Sequence, residues 1–322
     1  MSAFSLIEIS IVILIIGILI AGVTQSSRLL TQAKLSSAKT MTQSAPVASI
    51  KNLSLWIEST SDSSFQSADL DTGTTLTTWN DINPQAVTKA SFATGSTVTL
   101  PSSATVALTA PIYRTNIING LPAVDFSAGS TSMAANNFPA ISTAATVFAV
   151  VKLPSTTLAA QAIFSKRPAG GGTHPNIEFS TTALTGWKYL DGANATGYTP
   201  VAAVVPTLAS GTYVVSVVYS ASSISGAGTS TATGYNFFQN GGNTGYSGAM
   251  YGATTSNNPN TSLGADDVLF LGRQGLTSSP TYFTGHIGEI IIYDRALKKE
   301  ERQSIEAYLG KKWGITMTTA SY

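Results

Sequence analysis

The chain offers sixteen acidic side chains and two histidines, His174 and His286, for acid–base or metal chemistry, and it has no cysteine. Retaining glycoside hydrolysis needs two carboxyl groups about 5–5.5 Å apart. On a strand that means acids two or four residues apart, on one face. Glu289 and Asp294 are five apart, Asp266 and Asp267 are adjacent and so alternate faces, and Glu178 stands alone. Neither histidine lies near a Gly-x-Ser-x-Gly elbow. Gly170–Gly172 before Thr173-His174 lacks the lysine of a phosphate-binding loop. The spacing therefore predicts no enzyme. Zero cysteines exclude a disulfide scaffold and any thiolate zinc or iron–sulfur site. Asp125, Asp266 and Asp267, with backbone carbonyls, are a candidate calcium set without EF-hand spacing; no other cofactor is expected.

Recognition chemistry is better supplied. Glycan binding combines flat aromatics with amide and carboxylate hydrogen-bonding groups. Trp187, Tyr189, Asp191 and Asn194 form one such cluster, and Asn240, Asn243, Tyr246 and Tyr251 another, in Gly-rich text. The plainer reading of each aromatic is sandwich core or rim.

The elements that must position these groups follow from composition. Of 322 residues, 43% are hydrophobic and only 10% charged, with a net charge of +1. That composition argues against disorder. No basic stripe of a nucleic-acid binder is present. From residue 47 onward, short β-branched and aromatic runs alternate with Gly, Pro, Asn and Ser clusters. Leu121–Phe126, Thr146–Leu153, Ala162–Ser165, Asn176–Ser180, Thr212–Tyr219, Tyr235–Phe238, Val268–Leu271 and Gly288–Tyr293 are the predicted strands, which argues for an antiparallel sandwich or barrel. Thr146–Val151 and Val214–Tyr219 are almost wholly apolar, as central strands covered on both faces are. Lys298–Trp313 predicts a terminal helix with Ile305, Tyr308, Leu309 and Lys312 on one side.

The N-terminus is different. Phe4–Val23 is an apolar run of 20 residues whose one ionisable side chain is Glu8. A helix of that length matches the roughly 30 Å hydrocarbon layer of a bilayer. A carboxylate within such a span is a functional hypothesis by default. The helix-compatible pattern continues to about residue 45, and Pro46 ends it.

Phe-Ser-Leu-Ile-Glu at 4–8, followed by the Ile/Leu/Val run with Gly17, closely resembles the N-terminus of type IV pilins and pseudopilins over roughly residues 3–30. The resemblance implies cleavage between Ala3 and Phe4 by a prepilin peptidase, methylation of the new terminus, and a leader of residues 1–3. It implies that Glu8 pairs with the terminal amine of a neighbouring subunit during filament assembly, after residence in the inner membrane. Ala3 stands where the family usually has Gly, and the basic residues Arg28, Lys34 and Lys39 follow the span.

Gly288-Glu-Ile-Ile-Ile-Tyr-Asp-Arg-Ala-Leu297, Glu300–Leu309 and Lys312-Trp-Gly-Ile315 resemble the closing strand and helix of concanavalin A-like (LamG-like) domains. Leu53–Ile57, Trp79-Asn-Asp81, Gly120–Phe126 and Phe270–Arg273 fit the same pattern. The expected organisation is a leader at 1–3, a transmembrane and filament-core helix at 4–45, and a concanavalin A-like jelly roll with a short C-terminal helix at 46–322. The expected role is a filament subunit, minor or at the tip, that displays a lectin-like domain for adhesion to a glycan or surface protein. A pseudopilin with a structural β module, and a membrane-anchored glycan hydrolase acting through Glu178 or Glu289, are the alternatives. Partners are other pilin subunits, the peptidase and the membrane, with no nucleic acid.

Overall fold

The computed structural model describes residues 5–95, 97–99, 105–136, 138, 144–154, 161–167, 177–182, 186–191, 209–220, 233–249, 268–275 and 280–318. The chain opens with α1, Leu6–Gln43, an uninterrupted helix of 38 residues. Its start is capped when the Ser5 N–H donates to Glu8 Oε2 at 2.9 Å, which satisfies one orphan donor of the first turn. The helix stops at Gln43, just before a 3-10 turn at Pro46–Ser49, because proline cannot supply the N–H that a further turn needs.

Among the described residues, seventeen strands follow in order: β1 Leu53–Glu58, β2 Thr78–Asn80, β3 Ser91–Ala93, β4 Thr97–Thr99, β5 Thr105–Ala107, β6 Ile112–Ile118, β7 Leu121–Asp125, β8 Met133–Ala135, β9 Ala144–Leu153, β10 Gln161–Arg167, β11 Ile177–Thr182, β12 Gly186–Asp191, β13 Gly211–Ser220, β14 Thr233–Gln239, β15 Gly242–Ala249, β16 Val268–Leu271 and β17 His286–Tyr293. The chain then forms α2, Lys299–Trp313. All eight predicted strands are present within a few residues of their expected bounds.

The strand pairings are antiparallel and make two large sheets. One runs β15-β14-β13-β9-β17-β7-β6, with β1 sharing the edge of β17 beside β7. The other runs β12-β11-β10-β16-β8-β3-β2, and β4 and β5 form a separate hairpin. Leu55, Ile57, Val147, Ala149, Val151, Val215, Val217, Ile290 and Ile292 of the first sheet meet Trp79, Phe92, Met133, Ile163, Leu269 and Leu271 of the second in one core. The architecture is a β-sandwich preceded by a long helix and closed by a short one. A bridge between Thr75 and Ile112 ties the chain before β2 to β6, so β12 and β15 form the opposite lateral edge.

The middle strands of the first sheet are buried on both faces. The outer face of that sheet carries Leu53, Trp56, Leu121, Phe148, Val150, Val214, Ile291 and Tyr293, covered by Ile305, Tyr308, Leu309 and Trp313 of α2. This explains why β9 and β13 read as continuous apolar runs rather than alternating ones. The last turns of α1 share this layer: Ala38 is buried in it and Met41 packs on it. Lys34, Ala38, Met41 and Thr42 lie on one helical face, and Lys34 Nζ donates to Asn119 O at 3.3 Å. Asn119 in turn donates to the carbonyls of Trp313 and Gly314 at the end of α2. The Asn119-Gly120 turn has φ of 50° and 94°, the two-residue hairpin geometry that Asn-Gly adopts readily.

Candidate functional site

Two polar centres are built on β17, and neither is the one that spacing suggests. In the first, Glu58 of β1 and Glu289 of β17 are cross-strand partners. Like charges directly opposite each other destabilise a sheet, and α2 answers by inserting a cation. Lys312 Nζ lies 3.0 Å from Glu58 Oε2 and 2.9 Å from Glu289 Oε2, with all three side chains 0% exposed. Glu289 is fully engaged. Its Oε1 accepts from Trp56 Nε1 at 2.8 Å and from Tyr308 OH at 3.0 Å, and its Oε2 accepts from Trp313 Nε1 at 2.8 Å. Glu58 Oε2 accepts from the N–H and the hydroxyl of Thr60, each at 2.6 Å, whereas its buried Oε1 has no hydrogen-bond partner. Burial opposes the charge on Lys312, but Glu289 and Glu58 outweigh it and its pKa is raised. Burial, with Glu289 and Glu58 nearby, also pushes the Tyr308 phenol well up. Glycine at 288 is required for this closure, because a Cβ there would sit 2.7 Å from the Trp313 ring.

The second centre is more open. Asp125 of β7 and His286 of β17 are cross-strand neighbours. Asp125 Oδ2 accepts from Arg114 Nε at 2.6 Å, and its Oδ1 accepts from the Ser127 N–H at 2.8 Å and from the Ser127 hydroxyl. His286 Nε2 is 3.7 Å from Oδ1. Burial pushes the Asp125 carboxyl up, but the hydrogen bonds from Ser127 and Arg114 prevail and hold it below its ordinary value. Burial lowers the His286 pKa, helped by the cations Lys152 and Arg114, against the pull of Asp125. Arg114 is the partially exposed arm of this cluster.

Of the predicted calcium set, Asp125 is thus committed to Arg114 and Ser127, and Asp266 and Asp267 lie outside the described residues. Among the described residues no group of three or more acidic or histidine side chains is placed to hold a metal. Trp187, Tyr189 and Asp191 fall on β12, in register with Thr181, Phe179 and Ile177 of β11. Asn243 and Tyr246 fall on β15, Asn243 opposite Phe238. Asn194 and Tyr251 lie outside the described residues. β12 and β15 end their respective sheets, so the two clusters occupy the same lateral edge. Asn240 serves the backbone instead. With φ 49° it forms the β14–β15 turn, and its Oδ1 accepts from the Val214 N–H at 2.9 Å. Ala3 and Phe4 lie outside the described residues, and Glu8 is exposed on α1.

Sequence reasoning places Lys312 on the apolar stripe of α2 and names Glu289, but it does not join them to Glu58. A lysine inside an otherwise buried stripe is the available signal, since a lysine there requires a carboxylate opposite it.

No protein-family model matches the chain, and no curated protein matches it. Among solved structures it is similar to a Trypanosoma rangeli sialidase captured as a covalent intermediate. That match has 12% identity and a TM-score of 0.45, and covers 84% of this chain and 34% of the sialidase. It is also similar to domain 4 of an extracellular arabinanase from Geobacillus stearothermophilus in complex with arabinotriose, at 14% identity and a TM-score of 0.46, covering 79% of this chain and 98% of that one. A third is a carbohydrate-binding module of a Ruminococcus gnavus sialidase bound to α2,3-sialyllactose, at 17% identity, a TM-score of 0.38 and coverage of 52% and 83%. The chain spans 34–40% of the length of the sialidases it resembles. The expectation of no enzyme is corrected by this comparison, because glycoside hydrolases are prominent among the similar structures; at these identities the likeness assigns no activity to this chain.

Proposed function

We propose that the chain is a type IV pilin-like subunit, inserted through α1 in the inner membrane before assembly, that carries a glycan-binding LamG-like sandwich on the surface of a filament. The division of α1 carries this reading. Its N-terminal part is apolar and uncovered: Leu6, Ile7, Val12, Ile13, Leu14, Ile18, Leu19, Val23 and Leu29 are all exposed. It is the one helix among the described residues long and apolar enough to cross a membrane. Its last turns dock into the sandwich through Ala38 and Met41. An apolar surface of this extent needs lipid or other helices around it. The rigid continuation into the domain would hold the sandwich at a fixed place relative to that bundle.

The glycan part of the proposal rests on the residue types that the edge strands β12 and β15 carry, Trp187, Tyr189, Asp191, Asn243 and Tyr246, which are those sugar recognition uses. A soluble fragment for binding assays must begin near residue 31, so that the docked end of α1 is kept. Binding to members of a broad glycan panel, reduced by Trp187→Ala, is expected. A folded fragment with flat responses would contradict this part. Glu8→Ala is expected to leave the sandwich folded and to impair incorporation into filaments; unimpaired incorporation would remove the proposed charge pairing.

A further inference from the structure

Lys312 and Glu58 stand as the two halves of an amide. Nζ touches Glu58 Oε2 at 3.0 Å inside a fully sealed chamber, one bond from the carbonyl carbon. The two oxygens of Glu58 are prepared differently. Oε2 lies in a pair of donors, the Thr60 N–H and hydroxyl, the arrangement that stabilises a developing oxyanion. Oε1 is buried with no hydrogen-bond partner from the protein, and an unpartnered buried carboxylate oxygen is costly. Glu289 Oε2 sits 2.9 Å from the same Nζ, held in place by two indoles and a phenol.

We propose that Lys312 and Glu58 join in an intramolecular isopeptide bond, with Glu289 carrying the protons. The resting amine is an ammonium, because the paired carboxylates favour its charged form. Glu289 first takes one proton from Nζ. Glu289 passes that proton to Oε1, so that Glu58 is a neutral carboxyl when the freed lone pair forms the Nζ–Cδ bond, and Oε2 alone then holds the negative charge within the Thr60 donors. The Cδ–Oε1 bond then breaks. Oε1 departs as water with two protons that came from Nζ, relayed in turn by Glu289, which ends as it began. One ammonium and one carboxylate become a neutral amide and a water molecule, with no oxidant or other reactant. The product removes two buried charges and the orphaned oxygen, leaves the Glu289 carboxylate to the Trp56 and Trp313 indoles and the Tyr308 phenol, and exclusion of water from the chamber opposes the reverse reaction. The bond would tie β1 to α2 across 254 positions of sequence, and so fasten the first strand of the sandwich to its last helix.

The test is tryptic peptide mapping of the full-length chain, extracted in detergent and denatured before digestion. The expected product is Asn52–Lys89 linked to Lys312–Tyr322, lighter than the two peptides by one water. Trypsin cannot cut after an acylated Lys312, whereas an unlinked chain releases residues 313–322. In Glu289→Gln and in Lys312→Arg the peptides are expected to run free. Free peptides at full mass from the folded wild-type chain, or a link to the peptide Gln274–Arg295 that holds Glu289, would overturn the proposal.

Discussion

The exposed stretch of α1 and the chamber around Lys312 invert the usual partition in opposite senses. In the first, apolar side chains from Leu6 to Leu30 face outward. In the second, three ionisable side chains are wholly enclosed. The difference lies in where the partners come from. The chamber brings its own: two strands, α2 and three aromatic donors satisfy every polar atom of the three except Glu58 Oε1. The stretch of α1 has no covering side chains among the described residues. One region is satisfied within the described fold and the other is not, and it is to the second that the proposed membrane and filament contacts belong.

The largest test of this contrast falls on the chamber. Lys312→Ala leaves two facing carboxylates without their cation and is expected to destabilise the sandwich by about 3–5 kcal/mol, measured by chemical denaturation. A loss below about 1 kcal/mol would mean that the chamber is hydrated. A charge placed in the other region should act elsewhere. Leu14→Lys is expected to cost about 2.5–3.5 kcal/mol of membrane insertion, seen as a shift out of the membrane fraction, while the denaturation midpoint of the sandwich stays put. Movement of both together would mean that the two regions are not separate.

A smaller effect sharpens the packing claim. Gly288→Ala forces a methyl against the Trp313 ring, whose nearest atom would lie at 2.7 Å, and is expected to cost about 1–3 kcal/mol by the same assay. The smallest concerns Glu301, whose carboxyl the side-chain hydrogen bond from Arg295 holds at about 2, below its ordinary 4.5. A depressed pKa stabilises above the unfolded value and is lost as pH falls through the folded one. Glu301→Gln is therefore expected to remove a component of stability, under about 1 kcal/mol for so exposed a pair, that the wild type loses between about pH 4.5 and pH 2. An unchanged acid limb in the variant would show that the Arg295 pair does not form in solution.

Much of the fold was legible because local pattern and tertiary role agree. The runs Thr146–Val151 and Val214–Tyr219 are apolar on both faces because the middle strands of sheet one are covered on both. The long helix was readable from twenty apolar residues and the Pro46 stop. Short strands such as β2, β3, β4 and β5, each of three residues, leave too few periods to be seen. The chamber was not legible as a site because Glu58 and Glu289 meet through sheet register, whereas spacing along the chain offers Glu289 only Asp294, five residues away and on the opposite face. Asp125 illustrates the same limit: its partner Arg114 lies on β6, the other arm of a hairpin. The edge clusters were readable as residue types on strands, and the topology adds that β12 and β15 terminate the sheets on the same side.

On the proposed function, α1 finds its missing partners in a filament. Mass spectrometry of the N-terminal peptide, from protein sheared off the cell surface and from membranes, tests it most directly. The expected result is a sheared fraction whose peptide begins at methylated Phe4. A chain confined to membranes, with Met1 intact or a cut elsewhere, would contradict it.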